Sequence, residues 1–147
     1  MKTILLATAV LAVAACAGTP DKATPSQAAS DALYRALGGT PGITRVVDTF
    51  FRELDADTRI NALFRNVDHA DLRRLVIEQL CAASGGPCRY TGRSMEDAHS
   101  GLNLSNAEFD AFVGDLSQAM HQQHVSDDSQ RKLLALLAPM RPQVVGQ

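Results

Sequence analysis

From residue 31 onward the apolar residues of this chain recur at helical intervals, and no segment alternates with a period of two. Ile43, Val46, Val47, Phe50, Phe51 and Leu54 lie on one face of a helix at 3.6 residues per turn. Leu72, Leu75, Val76 and Leu80 repeat the pattern. So do Phe109, Phe112, Val113, Leu116 and Met120, and then Leu133, Leu134, Leu136, Leu137 and Met140. Short helices are expected near residues 31–37 and 58–64. The fold class that follows is all-α.

Helix starts can be read from cap chemistry. Thr40 before Pro41 predicts an N-cap followed by a proline in the first turn. Asp68 is a candidate cap, Ser105 with Glu108 has capping-box spacing, and Ser126-Asp127-Asp128 precedes the last helix. Gly38-Gly39 and Gly85-Gly86 each follow a helical run, where glycine can take the left-handed conformation that ends a helix.

Composition excludes several classes. With 46% apolar residues the chain is not low-complexity disorder, and 147 residues suit one domain. A net charge of −2 and a pI near 6.0 offer no phosphate-binding surface, so no nucleic-acid partner is expected. Five Phe, two Tyr and few β-branched runs speak against a β-sandwich.

The N-terminus has a separate logic. Lys2 precedes an apolar stretch over residues 4–15, shorter than the ~20 residues a membrane span needs. It ends in Val13-Ala14-Ala15-Cys16, the small residues a signal peptidase requires. A cysteine directly after them resembles a bacterial lipobox, in which the thiol is acylated. The alternative is an ordinary secretory signal with a chance cysteine. The expected organisation is a signal peptide over 1–15, a lipidated Cys16 and tether over 16–30, and a domain over 31–147. Ala17, rather than an acidic residue, points to an outer membrane, the domain facing the periplasm. In an oxidising compartment the remaining pair, Cys81 and Cys88, reads as a disulfide; two buried thiols are the alternative.

The stretch from Gly85 to Leu104 is long and poor in core residues, and such connections are often functional. It holds His99. No Cys or His stands three or four residues away to complete a zinc site, so a single histidine ligand suits a metal whose other positions a cofactor fills. His121 and His124 are three apart near a helix end, with Asp127 and Asp128 beyond; that spacing could bind a metal, but exposed helix-end histidines are the simpler explanation.

Several segments together resemble a family. Leu33-Tyr34-Arg35-Ala36-Leu37-Gly38-Gly39 looks like the opening of a group I truncated (two-over-two) haemoglobin. Phe64 follows a short helix, as the haem-stacking Phe does there. Gly85-Gly86-Pro87 and Tyr90-Thr91-Gly92-Arg93-Ser94-Met95 look like the link before its reduced proximal helix. Met95, His99 and Gly101 match the proximal segment, and Leu136-Leu137-Ala138-Pro139-Met140 resembles the last helix. The resemblance runs from about Leu33 to Val145.

It implies a globin-like two-over-two helical sandwich holding haem b. His99 becomes the proximal iron ligand through Nε2, with Nδ1–H on a backbone carbonyl. Met95 belongs to the same segment. Phe64 stacks on the porphyrin and Arg93 meets a propionate; Arg73 and Arg74 are weaker candidates. On the distal side, where most members carry a Tyr, this chain reads Phe51. The facing positions are Leu72 and Val76. Gln79 and His69 are the remaining polar candidates there, with an edge or surface position the plain alternative for both.

The expected partners are diatomic gases (O2, NO, CO) and, through the lipid, a membrane. Nitric oxide oxidation or peroxidase-type chemistry would draw on an unidentified reductase. A haem-free helical lipoprotein, acting as a structural or interaction module, explains the signal and the helices but leaves the His99 segment without a purpose.

Overall fold

A computed structural model of the chain describes residues 30–147. The expected signal peptide, the lipidated Cys16 and all of the tether but Ser30 lie outside the described residues.

The helices are α1 (Ala32–Ala36), α2 (Gly39–Ala56), α3 (His69–Ala83), α4 (Met95–His99), α5 (Asn106–Gln122) and α6 (Asp127–Leu137). Two 3-10 turns, Asn61–Phe64 and Ala138–Gln143, complete the order. Among the described residues there is no strand, only an isolated bridge between Leu104 and Val145. Helix α2 packs on both α3 and α5, and α5 packs on α6. The result is the all-α fold expected from the apolar stripes, in the two-over-two arrangement that the family resemblance implies.

Cap chemistry holds at three of the four expected starts. The Asp68 carboxylate accepts from the Ala70 and Asp71 amides at 2.9 and 3.0 Å. Ser105 and Glu108 form both halves of a capping box, and Ser126 Oγ accepts from the Ser129 amide. Thr40 is a correction. Helix α2 begins at Gly39, capped by Gly38 with φ +84°, and Thr40 sits inside the first turn. Its amide donates to Tyr34 Oη at 3.0 Å, which ties α1 to α2. Left-handed Gly38 brings the chain around so tightly that a Cβ on Gly42 would lie 2.0 Å from the Leu37 carbonyl oxygen.

The core is centred on α2, which buries eight residues, among them Ile43, Val47, Phe50 and Leu54, against Leu80, Leu116, Met120 and Leu133. Helix α3 behaves differently. Of its apolar stripe only Leu80 and Cys81 are buried, while Leu72, Leu75 and Val76 remain half-exposed. Phe109, Phe112 and Val113 on α5 do the same. Helical periodicity marked these positions as core. They instead face a space that the protein itself does not fill.

One buried carboxyl stands apart. Asp115 on α5 is 8% exposed, and its Oδ2 has no hydrogen-bond partner. Asp57 lies beside it, and Arg59 bonds Asp57 at 2.6 Å while standing 3.8 Å from Asp115. Arg59 holds Asp57 below the usual carboxylate range. Burial, followed by the charge of Asp57, pushes Asp115 from 3.8 up to about 6. The folded state therefore binds more protons than the unfolded chain between about pH 4 and 6, and this residue's contribution to stability falls as pH rises through that window. Asp115→Asn should be more stable than wild type by about 1–3 kcal/mol above pH 7, with the advantage fading toward pH 4. Urea midpoints at pH 4 and pH 8 check this.

Candidate functional site

The uncovered faces of α3 and α5 enclose a cleft of about 580 Å³. That lies within the roughly 300–1,000 Å³ typical of cofactor sites. Leu72, Leu75 and Val76 form one wall, Phe109, Phe112 and Val113 another, and Phe64, Met95, His99 and Met140 close it. Leu63, Val67 and Leu102 at its edge are 42%, 41% and 56% exposed. A lining this apolar, open at the edge, favours a flat hydrophobic occupant.

The position of His99 is built from short-range bonds. Ser94 Oγ accepts from the Asp97 amide at 3.1 Å and starts the five-residue α4. His99 Nδ1 lies 2.7 Å from the Met95 carbonyl oxygen. A carbonyl only accepts, so Nδ1 carries the hydrogen and the Nε2 lone pair is left for a ligand. No described residue bonds to Nε2. Beyond α4, the Asn103 amide donates to the Gln147 carbonyl at 2.8 Å and the Gly146 amide to the Leu104 carbonyl at 2.9 Å, so the C-terminus pins the chain after His99.

The segment before α4 is stitched to α3. Cys81 and Cys88 form a disulfide, with Cα atoms 5.7 Å apart. One turn away on α3, Glu78 Oε2 accepts from both the amide and the hydroxyl of Thr91, at 3.0 and 2.7 Å. Those bonds, the hydroxyl's first, hold the Glu78 carboxyl below its usual range. Arg74 Nη1 also donates to Thr91 Oγ1 at 2.8 Å. Tyr90 Oη donates to the Arg93 carbonyl at 3.0 Å.

Phe64, Leu72, Val76, Gln79, Arg93, Met95 and His99 all line the cleft. Phe51 does not. Phe50 is the α2 phenylalanine on the wall, set edge-on to Phe112 at 4.8 Å, and Phe51 is packed behind it against the His69 ring at 5.8 Å. Consecutive residues on a helix point about 100° apart, so only one of the pair can face the cleft. His69 lies outside the cleft, with Nε2 3.0 Å from the Phe64 carbonyl. Gln79 is not a donor toward the Leu72–Val76 wall: its Nε2 donates to the sulfurs of Met95 and Met140, each at 3.4 Å.

Among the arginines, Arg93 donates to the Asp97 carbonyl at 3.0 Å and lines the cleft, as does Arg74. Arg73 reaches across to Asp48 at 2.5 Å and takes no part in the lining. His121 and His124 sit at the end of α5, where His124 has φ +57°. Among the described residues no group of three or more His, Cys, Asp or Glu could hold a metal ion. Sequence reasoning missed the Arg74–Glu78–Thr91 cluster, because polar side chains 13 to 17 residues apart leave no periodic signal. It also missed Met140 as a cleft residue, since the 3-10 turn after Leu137 alters the register of the α6 stripe.

The comparisons with known proteins agree with this geometry. The profile of the family described as bacterial-like globin matches residues 32–145. A group 1 truncated hemoglobin from Nostoc is 31% identical over 115 residues, covering 78% of this chain and 98% of that protein. One from Synechocystis is 36% identical over 100 residues, covering 65% and 81%. The crystal structure of the Tetrahymena pyriformis truncated hemoglobin in its Fe(III) form superposes with a TM-score of 0.76 at 29% identity, over 78% of this chain and 98% of that one. The 2/2 hemoglobin of Synechococcus, described as cyanomet with covalently attached heme, gives 0.72 at 29%, over 77% and 97%. An apolar cleft between two helix pairs, one histidine with its outer nitrogen free, and a profile match over nearly the whole described chain lead to one assignment: the chain belongs to the bacterial-like globin family, among the group 1 truncated haemoglobins.

Proposed function

We propose that this globin holds haem b at His99 and reversibly binds diatomic ligands. The observation that carries the proposal is the pairing of a large apolar cleft with a histidine whose Nδ1 is already committed to the Met95 carbonyl. The donor set fits the group: a neutral imidazole nitrogen suits iron, and the aliphatic and aromatic walls suit a porphyrin. Cys81 and Cys88 are bonded to one another, so neither offers the cleft a free thiol for covalent attachment, which favours the b type.

Bound there, haem supplies an iron centre that accepts O2, NO or CO. His99 holds the metal through Nε2, and the Met95 carbonyl fixes the ring and raises its basicity. Phe64, stacked with Phe112 at a 27° interplanar angle and lining the cleft, would supply an aromatic face to the porphyrin. Arg93 at the edge meets a propionate, and Arg74 is placed to do the same. Leu72 and Val76 would shape the gas-binding side of the cleft and exclude water from it. Neither can donate a hydrogen bond, nor can Phe50 or Phe51. A gas-binding wall made of such side chains would retain oxygen poorly, which favours gas or redox turnover over storage; nitric oxide oxidation or peroxide chemistry would take electrons from a separate reductase.

Export and lipidation are part of the same proposal. The lipobox-like Val13-Ala14-Ala15-Cys16 supports an acylated Cys16, and the Cys81–Cys88 disulfide suits an oxidising compartment. The domain would then face the periplasm from the outer membrane.

Three outcomes follow. Purified protein reconstituted with haem should show a Soret band, and His99→Ala should lose haem binding while His69→Ala, His121→Ala and His124→Ala keep it; stoichiometric imidazole-ligated haem in the His99→Ala protein refutes the assignment. Leu72→Gln, which adds an amide donor to the cleft wall, should slow oxygen dissociation about five- to hundredfold in stopped flow, the equivalent of a hydrogen bond worth roughly 1–3 kcal/mol, and should alter carbon monoxide release far less. Cys16→Ser should move the protein from the membrane fraction to the soluble one, and equal membrane recovery of the two forms would refute anchoring.

A further inference from the structure

Gln79 stands in the α3 stripe between the apolar cleft residues Val76 and Leu80. Its amide nitrogen has two hydrogens, and two thioether sulfurs lie 3.4 Å from it: Met95 Sδ, at the start of α4, and Met140 Sδ, on the C-terminal 3-10 turn. Thioethers only accept, so the nitrogen rather than the carbonyl oxygen must face them. This fixes the orientation of the amide without reference to any ligand.

Met95 is joined to His99 by a second bond, since its carbonyl accepts from Nδ1 at 2.7 Å. The two bonds form a relay from α3 to the histidine: Gln79 to the Met95 side chain, and the Met95 backbone to the ring. Helix α4 has only five residues and packs mainly on the Ala138–Gln143 turn. A single turn of helix has little stability of its own, so side-chain links determine how it is set. The stitches already described hold the preceding loop at Cys88 and Thr91. Gln79 is the link that reaches α4 itself, and because it also bonds Met140 it ties α3, α4 and the C-terminal turn at one point.

We infer that Gln79 is a positioning residue for the proximal histidine, acting through Met95 to hold the His99 ring in one orientation and one tautomer. The inference rests on the proposed role of His99 for its functional meaning. Its geometry is independent of that role. Groups that orient a metal-ligating histidine typically change metal affinity 10–100-fold when removed. As Gln79 acts one step further out, the expected effect is at the low end, about tenfold.

The test uses Gln79→Met, which keeps the length of the side chain and removes both donors, and Gln79→Glu, which keeps the shape and removes the N–H groups. In the haem-free protein, 15N-correlated NMR of the imidazole should show His99 as a single Nδ1–H tautomer in wild type and as a mixture of tautomers in both variants. In the haem-loaded protein, the ferrous iron–histidine stretch should shift and haem loss to a scavenger should speed up about tenfold. Met95→Leu, which deletes the acceptor, should act likewise, and combined with Gln79→Met it should add little to either change alone. Unchanged ring tautomers and unchanged haem loss in both Gln79 variants would overturn the inference, as would full additivity with Met95→Leu. Should the wild type bind no haem, the proposed function fails, and the NMR arm still decides whether the relay exists.

Discussion

Everything distinctive in this fold follows from apolar surface that the protein does not cover itself. Helices α3 and α5 carry stripes that in an ordinary bundle would interlock, each square ångström buried contributing on the order of 25 cal/mol. Here Leu72, Leu75 and Val76 face Phe109, Phe112 and Val113 across a cleft instead. The deficit is tolerable because α2 supplies a complete core on the other side, with Phe50, Ile43 and Leu54 almost wholly buried. The molecule is thus a well-packed half joined to an open half, and a flat apolar occupant completes the second. Function and stability are linked through that surface, since anything binding the folded state in the cleft also stabilises it.

An open half needs its walls held apart and its one special side chain held in place. The long connection from Ser84 to α4 could not do this by packing, having almost no core residues. It does so by cross-links to α3: a disulfide closing a short loop, worth about 2–3 kcal/mol in the loop-entropy model, then Glu78 and Arg74 on Thr91, then Gln79 on Met95. The exposed hydrogen bonds among these contribute little energy individually. Their value is geometric, since each removes a way for the segment carrying His99 to drift from the cleft.

How far the sequence could be read depended on whether the signal was periodic or local. The four long helices were legible because their stripes repeat over three or more turns. Asp68, Ser105 and Ser126 were legible because capping depends on residues two or three apart. Thr40 misled because it looks like a cap, while a glycine pair just before it can begin the helix earlier. The same stripes that identified α3 and α5 could not reveal that they face a void, because burial against protein and burial against a cofactor demand the same residues. His99 could be singled out by its packing-poor surroundings. Phe50 and Phe51 could not be separated by inspection, since either fits the stripe and only the packing of His69 against Phe51 decides which faces outward from the cleft. Asp115 was invisible for the opposite reason: nothing in its neighbourhood along the chain marks it as buried.

The polar groups at the cleft divide in a way that bears on the proposed chemistry. Those that approach the His99 side are already engaged: Gln79 by two sulfurs, His99 Nδ1 by Met95, and Arg93 in part, through one bond to the Asp97 carbonyl. The side chains of Leu72, Leu75 and Val76 contribute none. A pocket built this way discriminates among diatomic ligands by the charge they develop rather than by their size. A ligand that accumulates negative charge on its outer atom gains nothing from an aliphatic wall and loses the water that would otherwise have solvated it. A ligand that stays nearly neutral is unaffected. Under the proposed function, selectivity therefore follows from what the gas-binding wall omits, while the strength of metal binding follows from how completely the His99 side is bonded.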